Sequence, residues 1–188
     1  EYVNFGQGEA MCLGRTTVRT RQEVRDFIDK LISYESGDIV GLWTKRVILA
    51  ADDEYAYGWE HPTLHTGACE RNASYIPDSL YDLVKIYMIS YPPLGYGTEE
   101  KGNAREAYIR EFNKGALLGV FYGHGNTHQL AHEVLFLSPY MGRINNSRRN
   151  SFWYFGSCNV GRFDDSDYEC LGEEFVRIPD GAIGTIAA

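Results

Sequence analysis

Hydrophobic positions along this chain alternate between two spacings. Thr20-Arg21-Gln22-Glu23 has the form of a capping box, in which the Thr20 hydroxyl accepts the Glu23 N–H and the Glu23 side chain reaches back. Behind it Val24, Phe27, Ile28, Leu31 and Ile32 recur at helical spacing, and Gly37 follows the helix end. The short apolar run Val47-Ile48-Leu49-Ala50-Ala51 reads as a strand that stops at Asp52-Asp53. A second helix is expected over 64–76, closed by Pro77, and a strand over 83–88, ended by Tyr91-Pro92-Pro93. Asn103 and Glu106 form a cap pair for a helix carrying Ala107, Tyr108, Ile109 and Phe112. Strands at 116–122 and 152–155, a helix near 129–137, a helix over 169–178 and a last apolar strand at 182–187 complete the pattern.

Strands that are almost continuously apolar, alternating with helices, belong to a parallel sheet covered on both faces. The expected fold is α/β, a three-layer sandwich with about five parallel strands. No repeat, low-complexity tract or Pro/Ser linker divides the chain, so residues 1–188 read as one domain. The apolar strand at the very end, without a polar tail, is expected of a piece of a longer protein.

Composition narrows the function. Eighteen Lys+Arg against 26 Asp+Glu give a net charge of −8, which disfavours nucleic acid and anionic membranes as partners. The short basic patch Arg143, Arg148, Arg149 does not reverse that and reads as a solvated loop. No apolar run reaches the roughly 20 residues of a membrane span, and the start has no signal-peptide pattern. The four cysteines form no Cys-x-x-Cys pair, so zinc ribbons and dithiol redox sites are not expected. Phosphate-binding glycine motifs are missing as well.

In open parallel sheets, ligands bind beyond the carboxyl ends of the strands. Three strands finish there on reactive residues: Asp52-Asp53, Gly123-His124-Gly125, and Gly156-Ser157-Cys158-Asn159. A thiolate nucleophile needs an imidazole within reach and backbone donors for the oxyanion. Cys158 and His124 meet the first need, and the N–H groups of Gly125 and Cys158 are candidates for the second. Glycines on both sides of His124 leave room for a substrate backbone and permit a positive φ. His124, His128 and His132 fall at i, i+4, i+8 with Glu133 beside them, but a Gly-His-Gly turn does not share a helix face with the other two, so no metal site is expected. The acidic run Asp164-Asp165-Ser166-Asp167 lacks EF-hand spacing and reads as a solvated loop, with structural calcium left open.

Tyr122-Gly-His124-Gly followed by Ser157-Cys158-Asn159, 34 residues from histidine to cysteine, resembles the catalytic strand ends of the gingipain family of cysteine peptidases, peptidase family C25. The resemblance runs from Leu13-Gly-Arg15-Thr-Thr-Val-Arg19-Thr through Leu49-Ala-Ala-Asp-Asp53 to Gly181-Ala-Ile-Gly. Glu133 and Gly161-Arg-Phe-Asp-Asp165 look closer to the branch of the type IX secretion-system sortase-like C-terminal signal peptidase. This implies a caspase-like sandwich and a Cys–His endopeptidase without cofactor, with Cys158 as nucleophile and His124 as general acid/base. By the same resemblance an acid at the end of an earlier strand orients the histidine; Asp53 matches best, with Asp52 adjacent. Substrate would run past His65, Ser157 and Asn159. The partners implied are a polypeptide and secretion-system components, at a secreted or cell-surface location. The stretch Pro62-Thr-Leu-His65-Thr-Gly-Ala carries no acid of the kind that selects arginine, so arginine specificity is not expected. The alternative from another class is a non-catalytic caspase-like module that binds protein segments in the same cleft.

Overall fold

The computed structural model describes residues 2–4, 10–12, 14–53, 64–95 and 99–188. A small antiparallel pair, β1 (Tyr2–Asn4) and β2 (Ala10–Cys12), precedes the main body. Then follow α1 (Arg21–Ser36), β3 (Arg46–Ala51), α2 (Leu64–Ala73), β4 (Asp82–Tyr87), α3 (Gly102–Asn113) and β5 (Leu118–Tyr122). The rest of the chain forms β6 (Gly125–Asn126), β7 (Gln129–Leu130), β8 (Phe136–Leu137), β9 (Ser151–Gly156), α4 (Leu171–Arg177) and β10 (Ala182–Ala187).

Five parallel strands make the central sheet in the order β10-β9-β5-β3-β4. From β3 the chain steps outward to β4 and then returns to the other side of β3 as β5. With right-handed crossovers, two steps in opposite directions place their helices on opposite faces. The side chains follow that division. Val47, Leu49 and Ala51 of β3 pack on the α2 face with Cys69 and Ala73. Ile48 and Ala50 pack on the other face with Ala104, Tyr108 and Phe112 of α3 and Phe175 of α4. An aromatic stack fills that second layer: Phe112 lies parallel to Trp153 at 5.2 Å, and Trp153 to Phe155 at 5.5 Å. The period-2 alternation of strand side chains thus feeds two cores, and the expected α/β sandwich of five parallel strands is present.

Helix α1 starts as its sequence predicts. Thr20 accepts the Glu23 N–H at 3.2 Å, Glu23 accepts the Thr20 N–H at 3.0 Å, and Gly37 closes the helix in the left-handed region at φ 70°. Its Lys30 is buried and donates to the carbonyls of Val176, Ile178 and Ala182, tying α1 to the end of α4 and the start of β10. Burial pushes the Lys30 ammonium down to about 8.

Three expectations fail. No helix forms over 129–137; β6, β7 and β8 make a three-stranded antiparallel sheet there. Ala131 and Val134 sit at φ 61° and 62°, which a helix does not tolerate, while Leu130, Leu135 and Phe136 still reach the core. The third helix is not capped by Asn103 and Glu106; it begins at Gly102 with Lys101 as its N-cap, without a side-chain cap bond. Lys101 is committed elsewhere, as described below. The second helix also stops at Ala73, three residues short of its expected end.

Candidate active site

The reversal of strand order at β3 opens a crevice beyond the carboxyl ends of β3 and β5, where doubly wound sheets bind their ligands. The backbone ladder carries on past the strand ends and holds three turns side by side. Asp52 donates its N–H to the Tyr122 carbonyl at 2.9 Å, and Gly123 donates to the Gly156 carbonyl at 3.4 Å. The Asp52-Asp53, Gly123-His124-Gly125 and Ser157-Cys158-Asn159 turns are therefore neighbours.

Both glycines beside His124 are there for close approach. A Cβ on Gly123 would stand 2.5 Å from the Asp52 Cβ, and one on Gly125 would stand 2.4 Å from the Ser157 Oγ. Neither residue has a positive φ, so the backbone freedom expected of them is not used. What they allow is contact: the histidine turn lies directly against the aspartate turn on one side and the cysteine turn on the other.

Among the cysteines with described side chains, Cys158 alone is exposed, and Cys69 and Cys170 are buried. Cys69 donates to the Ala50 carbonyl at 3.3 Å, and burial pushes the Cys170 thiol up to about 11. Thiol reactivity requires access and thiolate character, which excludes both buried sulfurs and leaves Cys158. The turn carrying it is fixed from behind. Gly161 donates to the Ala188 carbonyl at 2.8 Å, Gly172 donates to the Val160 carbonyl at 2.9 Å, and Asn159 adopts the left-handed conformation at φ 57°.

His124 is exposed at the mouth of the crevice. Its backbone N–H donates to the Asp52 Oδ2 at 2.9 Å. The His65 ring, from the first turn of α2, stands edge-on to the His124 ring with centroids 5.2 Å apart, and the His65 Nδ1 is buried without a hydrogen-bond partner among the described residues. Ser157 is buried, its Oγ likewise without a described partner, while Asn159 is exposed. His65 thus stands against His124, and Ser157, beside Cys158 and Asn159 in the chain, stands against Gly125.

The other described histidines, His128 and His132, have their own partners. The His128 ring meets Tyr168 edge-on at 5.6 Å, and His132 pairs with Glu99 at 3.0 Å. The basic patch disperses as well: Arg143 pairs with Glu106 at 2.6 Å, and Arg149 donates to the backbone of Asn146 and Asn113. Asp165 of the acidic run faces Arg162 at 3.7 Å.

Beneath His124 lies an acidic floor. Asp52, Asp53 and Glu133 are all buried, and one carboxylate oxygen from each lies within 4.8 Å of the others. Lys101 enters this floor from the start of α3, pairing with the Asp53 Oδ2 at 2.5 Å and donating to the Met88 carbonyl at 2.8 Å. A protein cation thus already stands against the Asp53 carboxylate. Burial, reinforced by the nearby Asp52 charge, pushes the Glu133 carboxyl up to about 8. Sequence reasoning left Glu133 without a role, because the residues it meets lie some 80 positions earlier in the chain. The Pro62-Thr63 part of the expected specificity stretch lies outside the described residues.

A central sheet of five parallel strands with helices on both faces, three of whose neighbouring strands end at Asp52, His124 and Cys158, is a caspase-like α/β fold. The sequence pattern of peptidase family C25 matches residues 6–188, and the chain belongs to that family. Among solved structures it is similar to the Arg-specific cysteine proteinase gingipain R (RgpB), with 21% identity, a TM-score of 0.68, and coverage of 93% of this chain and 39% of that one. The complex of the Porphyromonas gingivalis RgpB pro- and mature domains matches with 21% identity, a TM-score of 0.65, and coverage of 93% and 40%. A further protease matches with 18% identity, a TM-score of 0.68, and coverage of 88% and 34%. The chain therefore spans between 34% and 40% of the length of these solved relatives. No curated protein sequence matches it. Among the described residues, no helix is long and apolar enough to cross a membrane.

Proposed function

We propose that this chain carries the reactive centre of a cysteine endopeptidase. The Cys158 thiolate attacks a peptide carbonyl, forming a C–S bond and a tetrahedral oxyanion. The oxyanion is received by the N–H groups of Gly125 and Cys158. His124 then gives its proton to the leaving amine as the C–N bond breaks, leaving a thioester on Cys158. His124 next takes a proton from the attacking water, and the C–S bond breaks to release the acid. An amine in place of water makes the same centre a transpeptidase. His65, Ser157 and Asn159 line the path of the substrate, and the acidic pair Asp52-Asp53 orients His124: the family resemblance favours Asp53, whereas the hydrogen bond to the His124 N–H favours Asp52. By the same resemblance, C-terminal signals of secreted proteins are the substrate class, secretion-system components the partners, and the cell surface the location.

One observation carries this reading. The exposed thiol of Cys158 rises from a turn whose Ser157 packs against Gly125, the residue next to the exposed His124. The test is alkylation by iodoacetamide with peptide mapping, alongside cleavage of a broad peptide library by the chain and by Cys158→Ala. The expected result is labelling of Cys158 at least about tenfold faster than of Cys69 or Cys170, with cleavage lost in the variant. Retained cleavage in Cys158→Ala overturns the reading. Peptide capture without cleavage of any peptide by the folded chain would establish a binding module instead.

A further inference from the structure

Glu133 occupies a position that an ordinary surface turn would not create. It sits between β7 and β8, in a turn where Ala131 and the β-branched Val134 both adopt positive φ. Each such residue costs on the order of 1 kcal/mol or more. The turn is pinned on several sides. Ala131 donates to the His124 carbonyl at 2.8 Å, and Lys101 donates its N–H to the Glu133 carbonyl at 3.0 Å. The Gln129 amide donates to the Ala131 carbonyl at 2.7 Å, and Arg105 to that of Val134 at 3.4 Å. Its neighbour His132 faces outward to Glu99, whereas Glu133 is directed inward, 4% exposed, to Asp52 and Asp53.

Three ionised carboxylates against one ammonium would leave an excess of two negative charges in buried surroundings, an arrangement that is strongly unfavourable. Lys101 is committed to Asp53 and the Met88 carbonyl. Both Asp52 oxygens act as acceptors, from the N–H of Asp53 at 2.8 Å and of His124 at 2.9 Å. Glu133 Oε2, by contrast, is buried and meets no donor among the described residues. Protonation resolves both difficulties, because a neutral carboxyl removes one charge and becomes a donor beside an acceptor that still has lone pairs to offer.

We infer that Glu133 is a positioning residue for His124: it stays neutral and donates its carboxyl proton to Asp52, which in turn fixes the His124 backbone. The catalytic consequence rests on the peptidase reading above; the shared proton does not. The charged groups facing Glu133 among the described residues are Asp52 and Asp53 after β3, with Lys101 at the start of α3 paired to Asp53 and Arg105 of α3 held on the adjoining Val134 carbonyl. Loss of the proton places a second charge beside Asp52 and loosens the histidine turn.

The test uses the 188-residue chain carrying carbon-13 at the glutamate side-chain carboxyls, in a Cys158→Ala background so that the exposed Cys158 thiol does not titrate. One glutamate carboxyl resonance is expected to titrate on the alkaline side of neutrality, with the His124 backbone amide shift following it. Both titrations should vanish in Glu133→Gln. Ordinary acidic titration of all glutamates overturns the inference, as does a His124 amide indifferent to Glu133. So does stoichiometric heat on adding calcium chloride that Glu133→Gln abolishes, since a cation would then neutralise the floor. With Cys158 present, Glu133→Ala is expected to lower kcat for peptide cleavage on the order of tenfold, as supporting partners of a reactive group do. Glu133→Gln should restore most of that and lose the alkaline decline of rate. An unaltered alkaline limb in Glu133→Gln overturns the catalytic part. A chain that cleaves nothing overturns the peptidase reading alone, because the resonance experiment decides the proton separately.

Discussion

The Asp52 carboxylate holds the backbone N–H of His124, 72 residues further along the chain, at 2.9 Å. One link from the acidic turn to the histidine runs through the backbone of His124. Asp53, one residue on, faces Lys101. Removing the Asp52 side chain should shift the histidine turn without exposing core.

Asp52→Ala is accordingly expected to lower kcat on the order of tenfold and to cost about 1–3 kcal/mol of stability as the N–H groups of Asp53 and His124 lose their acceptor, read by peptide hydrolysis and circular dichroism. Asp53→Asn should register first in stability, by about 3 kcal/mol, because it strands the buried Lys101 ammonium. A kcat loss in Asp53→Asn larger than in Asp52→Ala, measured on folded protein, would instead give Asp53 the leading part in orienting the histidine.

Lys101→Met removes the described cation from the acidic floor. Leaving the buried Asp53 unpaired beside Asp52 and Glu133 should cost about 3–5 kcal/mol at pH 8. The loss should shrink as pH falls, because carboxylates without their cation take up protons more readily and shed the repulsion. Urea unfolding of both proteins at pH 5 and pH 8 measures this; an equal loss at both pH values contradicts it.

The raised Glu133 carboxyl has a consequence for stability. In the unfolded chain it releases its proton near 4.5, while in the folded chain it keeps it up to about 8. Between those limits the native state binds the extra proton, so this group's contribution to stability declines as pH rises and levels off above that window. The melting temperature of Glu133→Gln minus that of the parent should therefore grow from pH 5 to pH 8. A difference that is flat across the range would show that Glu133 ionises normally.

Gly125→Ala drives a methyl into the Ser157 Oγ, next to the nucleophile. Backbone must move to accept it, at a cost of about 1–3 kcal/mol. Cleavage should fall further than stability does, because the histidine and cysteine turns are pushed apart. Alkylation of Cys158 should persist, since the sulfur remains exposed. Loss of both would show that the turn has unfolded.

Much of this architecture was legible in the sequence because its elements are long enough to show a period. Thr20, Glu23 and Gly37 announced the ends of α1, and the apolar runs of β3, β5 and β9 announced buried parallel strands whose ends carry Asp52, His124 and Cys158. The two-residue strands β6, β7 and β8 are too short for any period. Leu130, Val134 and Leu137 there fall at i, i+4, i+7 and imitate a helical stripe, and only the positive φ of Ala131 and Val134 reveals that the backbone turns instead. The acidic floor was illegible for another reason. Its members come from three separate segments, and the signal was a lone acid, Glu133, among residues that pack inward. Close approach, the actual reason for glycine on each side of His124, also depends on neighbours that a linear reading does not supply.

Because β5 and β9 are parallel, each reaches its place only at the end of its own long crossover. The Cys158 and His124 turns are therefore neighbours only where β5 and β9 pair, and a chain in which that one ladder has not formed does not hold them together.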